Sequence, residues 1–255
     1  MRYSTENQLQ SATLSLNDCT IAFGSKDALD DTNTRRAIGI EQTGATDCEL
    51  VFTFSAPGYA IDVVSLVGIS SAVTDIEIET RDGVGAVIQT VAATIETPIQ
   101  QNYVTAFFDG SLAEEVRVRF DAGSGNTVAL GYAYMGRLST PVNIAALNYS
   151  VSAADPQNIT RAGTSLTTTT YLFADLSMTL VEETFSDIRE RIVAWASAGY
   201  ATPRFWYFEA ERESCILTGE TLYAILDSQT LQLDPIHKPG SEAPAQTTLG
   251  LVEVF

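Results

Sequence analysis

The sequence predicts a mostly β protein: an N-terminal antiparallel β-sandwich, then a small α+β domain with one main helix on an antiparallel sheet. Three observations predict it. Short β-branched and aromatic runs recur through the first half of the 255 residues. Turn chemistry separates them, at Ser55-Ala-Pro-Gly58, Arg81-Asp-Gly83, Phe108-Asp-Gly110 and Ala122-Gly-Ser-Gly-Asn126. After Pro141 the apolar period switches once from two to the helical value.

The first strand expected is Thr20-Ile-Ala-Phe23, followed by Glu49-Leu-Val-Phe-Thr-Phe54. Ala60 to Val67 is apolar almost throughout, and Thr74 to Arg81 alternates, with Ile76, Ile78 and Thr80 opposite Glu77, Glu79 and Arg81. Gly83-Val-Gly85 lies in the hairpin turn that follows; without a Gly-Lys-Ser/Thr it does not read as a phosphate loop. Ala86 to Val91 and Tyr103 to Phe108 come next. In Glu115 to Phe120, Val116, Val118 and Phe120 are expected inward, with Arg117 and Arg119 outward. Thr127 to Met135 is apolar in both phases, which predicts a strand covered on both sides.

Residues 1–138 form the expected sandwich, residues 139–143 (Ser-Thr-Pro-Val-Asn) a hinge, and residues 144–255 the α+β domain. There, Tyr171 to Leu180 alternates as a strand. Glu182 to Ser197 takes helical spacing, with Phe185, Ile188, Ile192, Trp195 and Ala196 in one stripe. Glu182, Glu183 and Asp187 suit the positive end of its dipole, Thr184 or Ser186 its cap, and Gly199 its close. Strands are expected at 203–208, 221–226 and 249–255.

The composition limits function. The net charge of −18 arises from a shortage of basic residues, Lys26 and Lys238 being the two lysines. Nucleic-acid binding needs a basic face, so no nucleic-acid partner is expected. No run is long and apolar enough to span a membrane, and the N-terminal ten residues have no apolar core, so no signal peptide is expected. The sequons at Asn148 and Asn158 then carry no weight. Cys19, Cys48 and Cys215 form no C-x-x-C. A Cys19–Cys48 bridge is conceivable; buried free thiols are the preferred reading.

Candidates for catalysis are few. His237, the single histidine, sits between two prolines in a loop and has no nucleophile motif near it. Asp27, Asp30 and Asp31 are hard oxygen ligands without EF-hand spacing, so turn and capping roles are expected rather than a calcium site. Transition-metal ligands are too few, and no metal or cofactor is expected. Glu209, Glu211 and Glu213 alternate at about 6.8 Å if extended, and glycosidases use two acids roughly 5–9.5 Å apart; a solvated strand end accounts for them equally well. Phe205-Trp-Tyr-Phe208, Tyr132 and Tyr134 are able to stack on sugar rings, though packing within sheets is the commoner use of such residues.

Two resemblances add to this. Cys48 to Phe54, Ala60 to Gly68, Thr74 to Arg81 and Glu115 to Phe120 together resemble the strand pattern of a galactose-binding-like (discoidin-type) jelly roll. That fold implies sugar binding through loops at one end, although no sugar-binding motif transfers. The whole chain is similar to virion structural proteins of tailed bacteriophages, in which a sandwich runs through a Gly-Arg-Leu strand, here Gly131 to Pro141, into a strand–helix–Gly–strand module, here Leu172 to Phe208. This second resemblance implies a non-enzymatic tail or baseplate component, assembled in the host cytoplasm and contacting other virion proteins and copies of itself. The candidate interface residues are Tyr132, Tyr134, Arg137 and Phe255. A carbohydrate-binding module for host-glycan attachment is the alternative, and a glycoside-cleaving enzyme the third reading.

Overall fold

A computed structural model of the chain describes residues 2–30, 37–44, 46–97, 102–154, 157–159, 165–167, 171–182, 185–198, 204–208, 221–226, 234–235 and 245–253. Two compact units are found. One comprises Tyr3–Ser139, the other Arg2 and the described residues from Thr140 onward.

In chain order the first unit's strands begin with β1 (Arg2–Asn7), β2 (Thr13–Asn17), β3 (Cys19–Phe23), β4 (Ile38–Gln42) and β5 (Cys48–Thr53). They continue with β6 (Tyr59–Ala60), β7 (Val63–Val67), β8 (Thr74–Arg81), β9 (Val87–Ala93) and β10 (Ile95–Glu96). The last are β11 (Tyr103–Phe107), β12 (Leu112–Ala113), β13 (Glu115–Asp121), β14 (Thr127–Leu130) and β15 (Tyr132–Leu138). One face of the sandwich is the five-stranded antiparallel sheet β2-β5-β13-β8-β9. The other contains the run β10-β11-β7-β15-β1, and two small sheets, β14-β4-β3 and β12-β6, complete the unit.

The alternation read from sequence places the core. Val116, Val118 and Phe120 are buried, as are Ile76 and Ile78 beside them. They share one apolar cluster with Leu50 and Phe52 of β5, Val64 and Leu66 of β7, and Ala133 and Met135 of β15. Residues from both layers in a single cluster make this a sandwich rather than two separate sheets.

Two strands expected as single elements are broken. Ala60 to Val67 divides into β6 and β7 at Ile61 and Asp62. The Asp62 amide donates to Gly136 O (2.9 Å), and its carboxylate accepts from the Leu138 amide (3.0 Å), so the chain leaves one ladder and joins another. Thr127 to Met135 divides at Gly131, whose amide donates to Val67 O (3.0 Å), so β14 and β15 lie in different sheets. The expectation of cover on both sides holds for β15, where Tyr132 to Gly136 is buried throughout. β1, β2 and β4 were not anticipated. Asp27–Asp30 is a single helical turn, closed by Ala28 N to Ser25 O (3.0 Å) and Leu29 N to Lys26 O (2.8 Å).

Among the described residues the second unit has a main antiparallel sheet, a separate two-stranded ladder and one helix. Its strands are β16 (Asn143–Ala154), β17 (Gln157–Ile159), β18 (Ser165–Thr167), β19 (Tyr171–Glu182), β20 (Arg204–Tyr207), β21 (Thr221–Leu226), β22 (Asp234–Pro235) and β23 (Ala245–Glu253). The order is β20-β21-β23-β19-β16, with β22 beside β23. The helix Phe185–Ala198 packs on β19 and β23. Ile188 and Trp195 of the expected stripe are buried, Trp195 lying 6.1 Å from Trp206 between ring centroids. Trp206 Nε1 donates to Ala224 O (3.2 Å), which satisfies the polar atom that burial would otherwise leave unpaired. β16 was missed: Asn143, assigned to the hinge, begins a twelve-residue strand paired along β19. Thr184 and Gly199 lie outside the described residues.

Candidate functional site

At one end of the sandwich a cleft of about 300 Å³ is lined by Glu6, Gln8, Gly58, Tyr59, Ala60, Leu112 and Arg137. Three segments build it, and each is fixed by a distinct local feature.

The first is the end of β1. Ser4 pairs with Leu138 and Asn7 with Gly136, so β1 carries one residue more than β15 across this span. Such a bulge re-aims the side chains within it, here Glu6. Gly136 is required on the facing strand, because a Cβ there would collide with the Glu6 carbonyl oxygen and crowd the Tyr134 hydroxyl. Asn7 then ends the strand. Its side chain accepts from the amides of Leu9 (3.2 Å) and Met135 (3.1 Å), and donates to Ala133 O (2.9 Å) and the Tyr132 hydroxyl (3.2 Å). Gln8 opens the 3-10 turn that Asn7 caps, and its amide donates to Glu6 Oε2 (3.3 Å).

The second segment is the short ladder β6–β12, where Ala60 faces Leu112 and Tyr59 faces Ala113. It follows the cis Ala56–Pro57 bond and Gly58, whose φ of +80° suits glycine and whose missing Cβ admits the Ala113 carbonyl. The Tyr59 ring meets Phe54 edge to face at 5.5 Å, which sets its plane at the cleft wall. Leu112 is 59% exposed. The turn before it is held by Asp109, which accepts from the Ser111 amide (3.0 Å). The Ser111 hydroxyl and amide together keep the Asp109 carboxyl below its usual range.

The third segment is the end of β15. The Tyr134 hydroxyl donates to Arg137 O (2.8 Å), and Asp62 accepts from the Leu138 amide. The backbone on both sides of Arg137 is therefore anchored while its side chain is exposed.

The candidate interface residues divide accordingly. Arg137 lines the cleft. Tyr132 and Tyr134 do not offer surface to a partner: they are 5% and 2% exposed, and their hydroxyls brace Asn7 and Arg137 O. Phe255 lies outside the described residues, as do Glu209, Glu211, Glu213, His237 and Cys215. Among the described residues no group of three His, Cys, Asp or Glu is placed to hold a metal ion, and no helix is long and apolar enough to cross a membrane. Glu6, Gln8, Tyr59 and Leu112 were not singled out from sequence. The Pro-Gly turn before Tyr59 and the Asp-Gly turn before Leu112 were the available signals.

The outer face of β13 is built differently. Glu49 accepts from Asn17 Nδ2 (2.6 Å), Arg119 (3.2 Å) and Arg117 (3.4 Å), and Arg119 also reaches Glu77 (2.9 Å). Burial pushes the Glu49 carboxyl up. The Asn17 amide and the two guanidiniums outweigh it and hold the group below the usual carboxylate range.

No family model and no curated protein matches the sequence. Among solved structures, the lectin domain of lectinolysin bound to Lewis b antigen is 12% identical over 52% of this chain and 97% of its own, with a TM-score of 0.41. A fucose-binding module from Streptococcus pneumoniae is 11% identical over 52% of this chain and 98% of its own, with a TM-score of 0.41. A fucolectin from striped bass (Morone saxatilis) serum is 10% identical over 99% of this chain and 94% of its own, with a TM-score of 0.38.

Proposed function

We propose that this chain is a non-catalytic carbohydrate-binding protein, a galactose-binding-like sandwich that takes a neutral sugar in the cleft between Glu6 and Arg137. The observation that carries this reading is the lining itself: Glu6, Gln8, Tyr59 and Arg137 around the apolar Ala60 and Leu112. A sugar ring offers hydroxyls that both donate and accept, and a C–H face that packs on apolar surface. A carboxylate, an amide and a guanidinium address the hydroxyls; Leu112 and Ala60 address the C–H face. The formal charges of Glu6 and Arg137 cancel, which suits an uncharged ligand. The volume lies at the lower end of small-ligand sites, which run to roughly 300–1,000 Å³, so one or two rings fit.

The acids of the described lining support binding over cleavage. Glycoside hydrolysis uses a pair of carboxyl groups flanking the bond, and Glu6 is the single carboxylate among the lining residues.

A glycan array probed with the full chain and with Arg137→Ala tests the reading. The wild-type chain is expected to retain a related set of neutral glycans and Arg137→Ala to lose them. Equal retention by both overturns the assignment to this cleft. Retention of no glycan, together with co-sedimentation of the chain with purified phage particles, favours the virion-assembly role that the second resemblance implies.

A further inference from the structure

Cys19 opens β3 and Cys48 opens β5, strands of two different sheets, and both are buried in one apolar cluster. The β2–β5 ladder runs as far as Asn17 opposite Glu49. The next residue on one strand is Asp18, and on the other Cys48. Asp18 takes a φ of +56°, a left-handed conformation that Asp tolerates better than most residues. That residue turns the chain out of the ladder and directs Cys19 inward. Cys19 Sγ lies 3.2 Å from Asn17 O and 3.7 Å from Glu49 O, the residue next to Cys48.

Cys19 and Cys48 are both free thiols, and their side chains are neighbours in this cluster. Their interaction lowers the Cys19 pKa against the opposing effect of burial, and together with burial raises that of Cys48. The pair is therefore asymmetric. Cys19 is the more readily ionised of the two and retains slight exposure at 7%, whereas Cys48 is fully enclosed.

We propose that Cys19 and Cys48 are a dithiol–disulfide pair, which an oxidising thiol–disulfide couple converts to a bridge joining the two sheets. With glutathione disulfide as oxidant, the Cys19 thiolate attacks one of its sulfurs. A mixed disulfide forms and one glutathione thiolate leaves. Cys48 then attacks Cys19 Sγ, its proton passing to the second departing glutathione. The net change is oxidation of two cysteine thiols to one disulfide and reduction of one glutathione disulfide to two glutathiones. The bridge closes the chain from Cys19 to Cys48 and restricts the unfolded state.

The test uses the full native chain, equilibrated in oxidised glutathione, quenched in acid, alkylated and mapped by peptide mass spectrometry, with thermal unfolding measured in parallel. The expected result is a linked Cys19–Cys48 peptide, a Tm raised by about 5–10 °C, and reversal of both by dithiothreitol. Cys215→Ser is expected to behave as wild type. Cys48→Ala is expected to leave Cys19 as a glutathione mixed disulfide with no rise in Tm. Full alkylation of both thiols after oxidation overturns the proposal. So does a link that forms only in denaturant, or one that joins Cys215 to either residue.

Discussion

The outer face of the five-stranded sheet and the cleft at the end of the sandwich use the same side-chain types to opposite ends. On the sheet, Arg117 and Arg119 direct their donors at Glu49, Glu77 and Glu115, and Asn17 completes the coordination of Glu49. The result is a ladder of charge pairs, across strands to Glu49 and Glu77 and along β13 to Glu115. At the cleft, Glu6, Gln8 and Arg137 are brought together by a bulge, a 3-10 turn and a strand end, around an apolar floor and facing solvent. Regular register produces an even charged face. Irregular register produces a concavity with Glu6, Gln8 and Arg137 on its rim. The difference lies in backbone geometry, not in composition.

Substitutions sharpen that contrast in order of size. Phe120→Ala, on the buried face of the ladder's central strand, is expected to cost about 3–5 kcal/mol in urea unfolding, because the core and not the charge ladder carries the sandwich. Glu49→Gln, which leaves two guanidiniums facing a neutral amide, is expected to cost about 1–3 kcal/mol. A cost as large as that of Phe120→Ala would make the ladder an equal partner in stability and break the comparison.

Glu49 also gives the ladder a pH signature. Its folded pKa is depressed, so its contribution is complete above the unfolded carboxylate value of about 4.3 and is lost as pH falls through the lower folded value. Acid titration of stability is expected to be less steep below about pH 4 in Glu49→Gln than in wild type; parallel curves would contradict this. Arg137→Ala and Glu6→Gln are expected to change stability by no more than about 0.5 kcal/mol while weakening glycan binding at least about tenfold, or 1.4 kcal/mol. Val84→Ser, at a hairpin tip 90% exposed, is expected to change neither.

Much of the architecture was legible from local pattern. Thr74–Arg81 and Glu115–Phe120 alternate because one side of the sheet is core and the other is wet, and both strands appear where that alternation places them. The helix behind Trp195 was legible for the same reason, at its own period. What escaped was set by distant contacts. Nothing local marks the break at Asp62, which depends on Gly136 and Leu138 across the sheet. Tyr132 and Tyr134 read as candidates for surface contact because aromatic strands serve both uses, and only the fold shows their hydroxyls turned to Asn7 and to Arg137 O. Of the cleft, Arg137 alone was marked. Glu6 and Leu112 are ordinary residues until a bulge and a two-residue ladder bring them together.

The most direct test is backbone-amide NMR of the full chain titrated with L-fucose, D-galactose, D-mannose and N-acetylglucosamine in turn. At least one sugar is predicted to shift a contiguous set of amides at Glu6, Gln8, Gly58, Tyr59, Leu112 and Arg137, with its signals otherwise unchanged and the sugar chemically intact afterwards. Shifts confined to other parts of the chain, or conversion of a glycoside during the titration, would contradict the account.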